Sequence, residues 1–180
     1  VAGARQRLQA IVDASDEVAV IVTDVQGVIT LFNSGAERLL GYRAEEVVGQ
    51  ASPVLFHDEQ EVQAFLQAQP ATEGAGLDLF AIFSARAREH TFSRQWTFLR
   101  KDGQHRQVRL SISALSDAQG EVTGFVGMAT DVTEMLQARA EARLAEETFA
   151  GAFTSAALGM ALVSLDGTWL DVNEALCRIL

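Results

Sequence analysis

The chain has 180 residues, 48% of them hydrophobic, with 14 Lys+Arg set against 24 Asp+Glu. That composition describes a globular domain with some chain to spare, and about 150 residues bury roughly 68–70% of their unfolded surface, enough for a core without disulfide staples. A formal charge of −10 argues against non-specific nucleic-acid binding, whose affinity comes from neutralising phosphates, and no run of about 18 apolar residues reads as a membrane span.

In chain order, "ARQRLQAIVDAS" places Leu8, Ile11 and Val12 at helical spacing and predicts a flanking helix over 1–16. "VAVIVTDVQGVITLFN" follows as two β-branched runs about an Asp24–Gly27 turn, a hairpin signal. Asn33 or Ser34 then caps "GAERLLGY", a short helix closed by Gly41. Two more short helices are expected between Ala44 and Ala71, one starting near Asp58, and "GLDLFAIFSARARE" supplies another with Leu79, Phe80 and Phe83 on one face.

From Phe92 the period changes to two. "FSRQWTFLR", "RQVRLSISAL" and "EVTGFVGMATDV" read as three strands joined by Asp102-Gly103 and "SDAQG". Strands, short helices and strands again predict an α+β domain with a largely antiparallel sheet. "VTEMLQARAEARLAEETFAGAF" is then one helix with a narrow stripe of Val132, Leu136, Ala140 and Leu144, suited to a two-helix contact.

The basic run "LRKDGQHRQVRL" raises the question of a polyanion grip. Asp-Gly is a strong hairpin turn, and alternation sends Arg109 to the face opposite Val108 and Leu110, so the run reads as a solvated hairpin. The end of the chain repeats its beginning. "VTDVQGVITLFNSGAERLL" (22–40) aligns with "LVSLDGTWLDVNEALCRIL" (162–180), pairing Gly27 with Gly167 and Asn33 with Asn173. A truncated second copy of the same domain is therefore expected over 153–180.

Catalytic motifs are missing from the sequence. There is no phosphate-binding Gly-rich loop and no nucleophile elbow, and the single Cys177 lies in the repeat. That lone cysteine fits a reducing, cytoplasmic compartment. His57, His90 and His105 lack the spacing of a metal site, and His57 reads as the structural residue ahead of a helix capped by Asp58.

Taken together, "DVQGVITLFNSGAERLLGY", "VVGQ", "FHDEQE", "WTFLRKDGQ" and "VRLSISALSDAQGEVTGFVGMATDVTE" resemble the PAS domain, a sensor module of bacterial signalling proteins. The resemblance implies a five-stranded antiparallel sheet with short helices on one face. It divides the chain into a flanking helix (1–16), the sensor domain (17–131), a signalling helix (132–152) and the start of a second PAS domain (153–180). It also implies a ligand cavity between sheet and helices. Alternation then directs inward Ile21, Thr23, Leu31, Ala36, Leu39, Phe80, Phe83, Trp96, Phe98, Val108, Leu110, Ile112, Phe125, Gly127 and Ala129. Such a lining favours a small apolar or aromatic ligand. Packing alone also accounts for these residues, so a ligand-free spacer with a filled core is the competing expectation.

The resemblance bears on cofactors as well. Flavin-binding members carry a reactive cysteine in the helical segment and amides on the last three strands; the matching positions here are Phe98, Val108 and Ala129, and 44–91 hold no cysteine. Haem-binding members place a histidine on the helix before the third strand, where this chain has none. Neither cofactor is expected. Asp131, Val132 and Thr133 match the family's strand-to-linker junction, and Leu8, Ile11, Val12, Leu136, Ala140 and Leu144 are the expected homodimer contacts. The segment itself is expected to be non-catalytic, within a parent that is a histidine kinase or a cyclic-dinucleotide enzyme.

Overall fold

The computed structural model describes residues 17–69 and 78–179. The predicted flanking helix, with Leu8, Ile11 and Val12, lies outside the described residues. The described chain divides into two compact units, meeting between Thr133 and Glu134.

The first unit is built on β1 (Val18–Thr23), β2 (Ile29–Phe32), β3 (Phe92–Leu99), β4 (His105–Ser116) and β5 (Val122–Asp131). All neighbours are antiparallel, in the order β2-β1-β5-β4-β3. Between β2 and β3 run α1 (Ser34–Leu40), α2 (Ala44–Val47), a 3-10 turn (Pro53–Phe56), α3 (Glu59–Gln67) and α4 (Leu79–Glu89). This is the five-stranded α+β arrangement expected from the sequence.

Local chemistry sets the boundaries. Asp24 Oδ1 accepts from the amides of Gln26 and Val28, and Gly27 adopts φ 86°, which closes the β1–β2 turn without a Cβ penalty. Asn33, fully buried, caps α1 by accepting from Ala36 N at 2.9 Å. The same oxygen accepts from Val20 N, and Nδ2 donates to Val18 O, so one side chain locks the helix start to β1. Gly41 ends α1 in the left-handed region at φ 77°. Asp58 and Asp78 cap α3 and α4 through the amides of Glu61 and Ala81.

The core lies between the helices and one face of the sheet, where Ile29, Leu40, Phe56, Trp96 and Val108 have essentially no exposed surface. One strand departs from simple alternation. A register shift between Val22 and Thr23 puts both Ile29 and Phe32 inside, so Leu31 leaves the inner face to which strict period two assigned it.

The basic hairpin is a correction in part. Gly103 takes φ 83° in the turn and Arg109 is exposed, as expected of a solvated hairpin. Arg100, however, is largely covered: its guanidinium donates to the carbonyls of Arg38 and Leu39 at the end of α1, and Lys101 N donates to Leu40 O. Those are the orphan carbonyls of a helix C-terminus, which a cation satisfies well. Lys101 Nζ also pairs with Glu46.

The second unit holds the rest of α5 (Thr133–Ser155), then β6 (Ala161–Val163), β7 (Trp169–Val172) and α6 (Glu174–Ile179). Its hairpin reproduces the first one. Ala161 pairs with Val172 as Ile21 pairs with Phe32, and the register shift between Leu162 and Val163 falls at the position of that between Val22 and Thr23. Asn173 Oδ1 accepts from Met160 and Leu176, and Nδ2 donates to Leu158, each partner standing where Val20, Ala36 and Val18 stand around Asn33. Gly167 takes φ 87° in place of Gly27.

Candidate functional site

Against the inner face of the sheet lies a cavity of about 50 Å3. β1 contributes Ile21 and Thr23, β4 contributes Leu110 and Ile112, and β5 contributes Phe125, Gly127 and Ala129. Phe98 enters from β3, and Phe80 and Phe83 from α4. These ten expected residues are brought together by the strand pairings Ile21–Gly127 and Ile112–Gly127, which set three strands in register behind the cavity.

Five expected residues stand elsewhere. Leu31 is displaced by the register shift in the first hairpin. Ala36 and Leu39 sit on α1, Ala36 inside the core and Leu39 partly covered beside it. Trp96 and Val108 are fully buried partners of one another across β3 and β4, toward the sheet edge that α3 and α4 cover. They are core residues; alternation gives the face of a sheet but not the position along it.

Four lining residues were not foreseen: Pro53, Val54, His57 and Ser84. Three of them come from the 3-10 turn and its end, where the sequence shows no periodicity. His57 is the informative one. Its ring is 7% exposed and sits edge-on to Trp96 and Phe98, with centroids at 5.2 and 4.8 Å. The backbone of this segment is pinned to β3, through a bridge between His57 and Phe98 and a bond from Asp58 N to Thr97 O.

The hydrogen bonding of His57 fixes its tautomer. Nδ1 lies 3.0 Å from Pro53 O, and a carbonyl only accepts, so Nδ1 carries the proton. Nε2 is then a bare lone pair, buried and without a partner among the described residues. Burial pushes the imidazole pKa down to about 4, against a smaller upward effect of the Pro53 carbonyl. Thr23 Oγ1, also lining the cavity, is likewise buried without a partner. His90 and His105 are exposed, and His105 Nε2 meets Asp58 Oδ2 at 3.3 Å. No cluster of three or more His, Cys, Asp or Glu side chains suited to a metal occurs among the described residues.

The expected junction residues are tied to the sheet. Asp131 Oδ1 accepts from Thr133 N at the start of α5, Val132 N donates to Gln107 O, and Thr133 Oγ1 accepts from Gln107 N at 2.9 Å. Gln107 Nε2 donates to Thr97 Oγ1, while Thr97 N donates to Glu61 Oε2 on α3. An unbroken set of hydrogen bonds thus runs from the segment carrying His57 and Asp58, through β3 and β4, to the first turn of α5. Beyond it Leu136 is half-buried, and Ala140 and Leu144 are exposed.

Comparison with known proteins places this geometry. A family model described as a PAS domain matches residues 17–134. A curated relative, two-component system protein A of Emericella nidulans, is 27% identical over 130 residues, covering 72% of this chain and 17% of that protein. The chain therefore spans less than a fifth of that relative's length. Among solved structures, the PAS domain of a Colwellia psychrerythraea protein superposes with a TM-score of 0.55 at 24% identity, covering 73% of this chain and 98% of that one. An RNA-binding light-oxygen-voltage receptor matches with a TM-score of 0.53 at 26% identity, over 79% of this chain and 37% of that receptor. With its fold, its strand order and a matching model over most of its length, this chain belongs to the PAS domain family.

Proposed function

We propose that the domain is a cytoplasmic regulatory input module that takes up a small apolar or aromatic molecule, or a partner's conformation, and relays the change through α5. The observation that carries this reading is the hydrogen-bonded connection between the cavity wall and the helix start, by way of Asp58, Thr97, Gln107 and Thr133. A ligand pressing on the His57 segment shifts Thr97, and the bonds of Gln107 convert that shift into a change at the first turn of α5. A ligand acts only through a difference in affinity for the two arrangements. The similarity to a two-component protein supports an output of the histidine kinase or cyclic-dinucleotide type in the parent, with this segment non-catalytic.

The lining speaks against a flavin. The positions matching flavin-holding amides are Phe98, Val108 and Ala129, all apolar, which leaves a flavin's polar edge without partners there. The stripe of half-buried Leu136 with exposed Ala140 and Leu144 supports homodimerisation through α5. The bonds around Asn173, matching those around Asn33, support a second PAS domain beginning near 153.

A second reading, a ligand-free dimerisation spacer, draws on the ring packing of Phe65, Phe83 and Trp96 beside so small a cavity. Native mass spectrometry of the freshly purified chain separates the two. Stoichiometric non-covalent mass that disappears on denaturation supports the sensor; a bare mass at dimer size favours the spacer.

A further inference from the structure

We infer that His57 is a ligand anchor: its Nε2 accepts a hydrogen bond from an O–H or N–H of a small neutral molecule whose apolar body lies among the cavity's phenylalanines. This rests on the ligand-binding reading above and narrows it to a chemical class.

The argument starts from the tautomer. With Nδ1 donating to Pro53 O, Nε2 carries a lone pair, so His57, one of the residues lining the cavity, is an acceptor that needs a donor. The atom is buried with no partner among the described residues, and a buried polar atom is costly until it is paired. The burial that depresses the imidazole pKa keeps that lone pair free at neutral pH. Thr23 lines the same cavity, and its Oγ1 is a second buried polar atom without a partner among the described residues, able to donate or accept.

Charge and shape narrow the class. Among the described residues no Asp, Glu, Lys or Arg lines the cavity, so an ionised ligand finds no counter-charge there and pays its desolvation. The rings of Phe80, Phe83, Phe98 and Phe125 surround the space, which suits an aromatic body packed edge to face. Benzene fills a cavity of about 150 Å3, three times this one, so the inference requires half-buried Phe80 to turn outward when a ring enters. Phenol is the simplest molecule with the required donor and body.

The test titrates the 180-residue chain, carrying 15N in its imidazoles, with phenol and with toluene, which has the ring but no donor. Phenol is expected to bind about tenfold more tightly than toluene, the worth of one hydrogen bond to a buried acceptor. The Nε2 resonance of His57 is expected to move with phenol alone. In His57→Leu the preference disappears while toluene still binds, which also reports an intact pocket. Should that variant not fold, the Nε2 resonance of the wild-type chain decides by itself.

Equal affinity for the two probes with Nε2 unmoved overturns the donor inference and leaves the ligand pocket standing. A preference for phenol that survives in His57→Leu places the acceptor elsewhere and overturns it as well. Binding of neither probe overturns this inference, and native mass spectrometry of the same chain then decides the ligand-binding reading separately.

Discussion

Acid should unfold this domain through His57, and the size of the effect follows from its surroundings. The imidazole titrates at about 4 in the folded protein, pushed down by burial from an ordinary value of 6.5. Its neighbours are the rings of Phe83, Trp96 and Phe98, and the nearest acid in sequence, Asp58, is engaged with Glu61 N and with His105. Protonation therefore places an uncompensated charge in an apolar wall. Because the folded pKa is the lower one, the unfolded chain takes the proton first. Stability is complete above about pH 6.5, is lost as the pH falls toward about 4, and changes no further below that. Linkage gives a loss of about 2 kcal/mol by about pH 5 and about 3 kcal/mol by about pH 4.

The assay is urea unfolding of wild type and His57→Leu near pH 7.5 and pH 5. Every other titrating group is common to both proteins, so the difference of differences isolates His57. Wild type should lose about 2 kcal/mol more than the variant, about 1 M in urea midpoint at ordinary m-values. If both proteins lose the same stability, the imidazole is not buried and neutral in solution, and the account of the cavity wall fails.

Three further predictions rest on other parts of the molecule. Asn33→Ala removes a fully buried cap and leaves the amides of Val20 and Ala36 unpaired, and it should cost about 3 kcal/mol in denaturant melts. Gly124→Ala and Gly127→Ala should act in opposite directions on thermal stability. A Cβ at Gly124 would stand 2.1 Å from Thr23 O, forcing the β1–β5 ladder apart at a cost of about 1–3 kcal/mol or more. At Gly127 the nearest atom is 3.6 Å away, so alanine should stabilise by about 0.5 kcal/mol while filling part of the cavity and weakening phenol binding. Replacing Leu136 and Leu144 by Asp should shift a dimer toward monomer in sedimentation velocity; an unchanged dimer would place the contact elsewhere.

How much of the site could be read in advance is clearest from single residues. Gly127 and Ala129 on β5 were legible because a half-buried strand shows its inner face in every second residue. Asn33, Gly41 and Asp58 were legible because caps and turns are local chemistry, satisfied within a few residues along the chain. Leu31 was misplaced because a register shift is decided by the partner strand, which its own sequence does not contain. Arg100 reads as one more solvated charge until α1 is seen to end beneath it.

His57 marks the boundary between the two kinds of knowledge. The sequence by itself determined the period of each strand, the caps and turns, the repeat of the first hairpin, and hence the family. These depend on side chains acting on their own backbone or its immediate neighbours. Only the tertiary structure decided that this histidine is buried, which nitrogen holds its proton, and that the residue lines a cavity. Those properties come from Trp96, Phe98 and Phe83, brought from 26 or more residues away by β3 and α4, and the dielectric they create belongs to the assembled core.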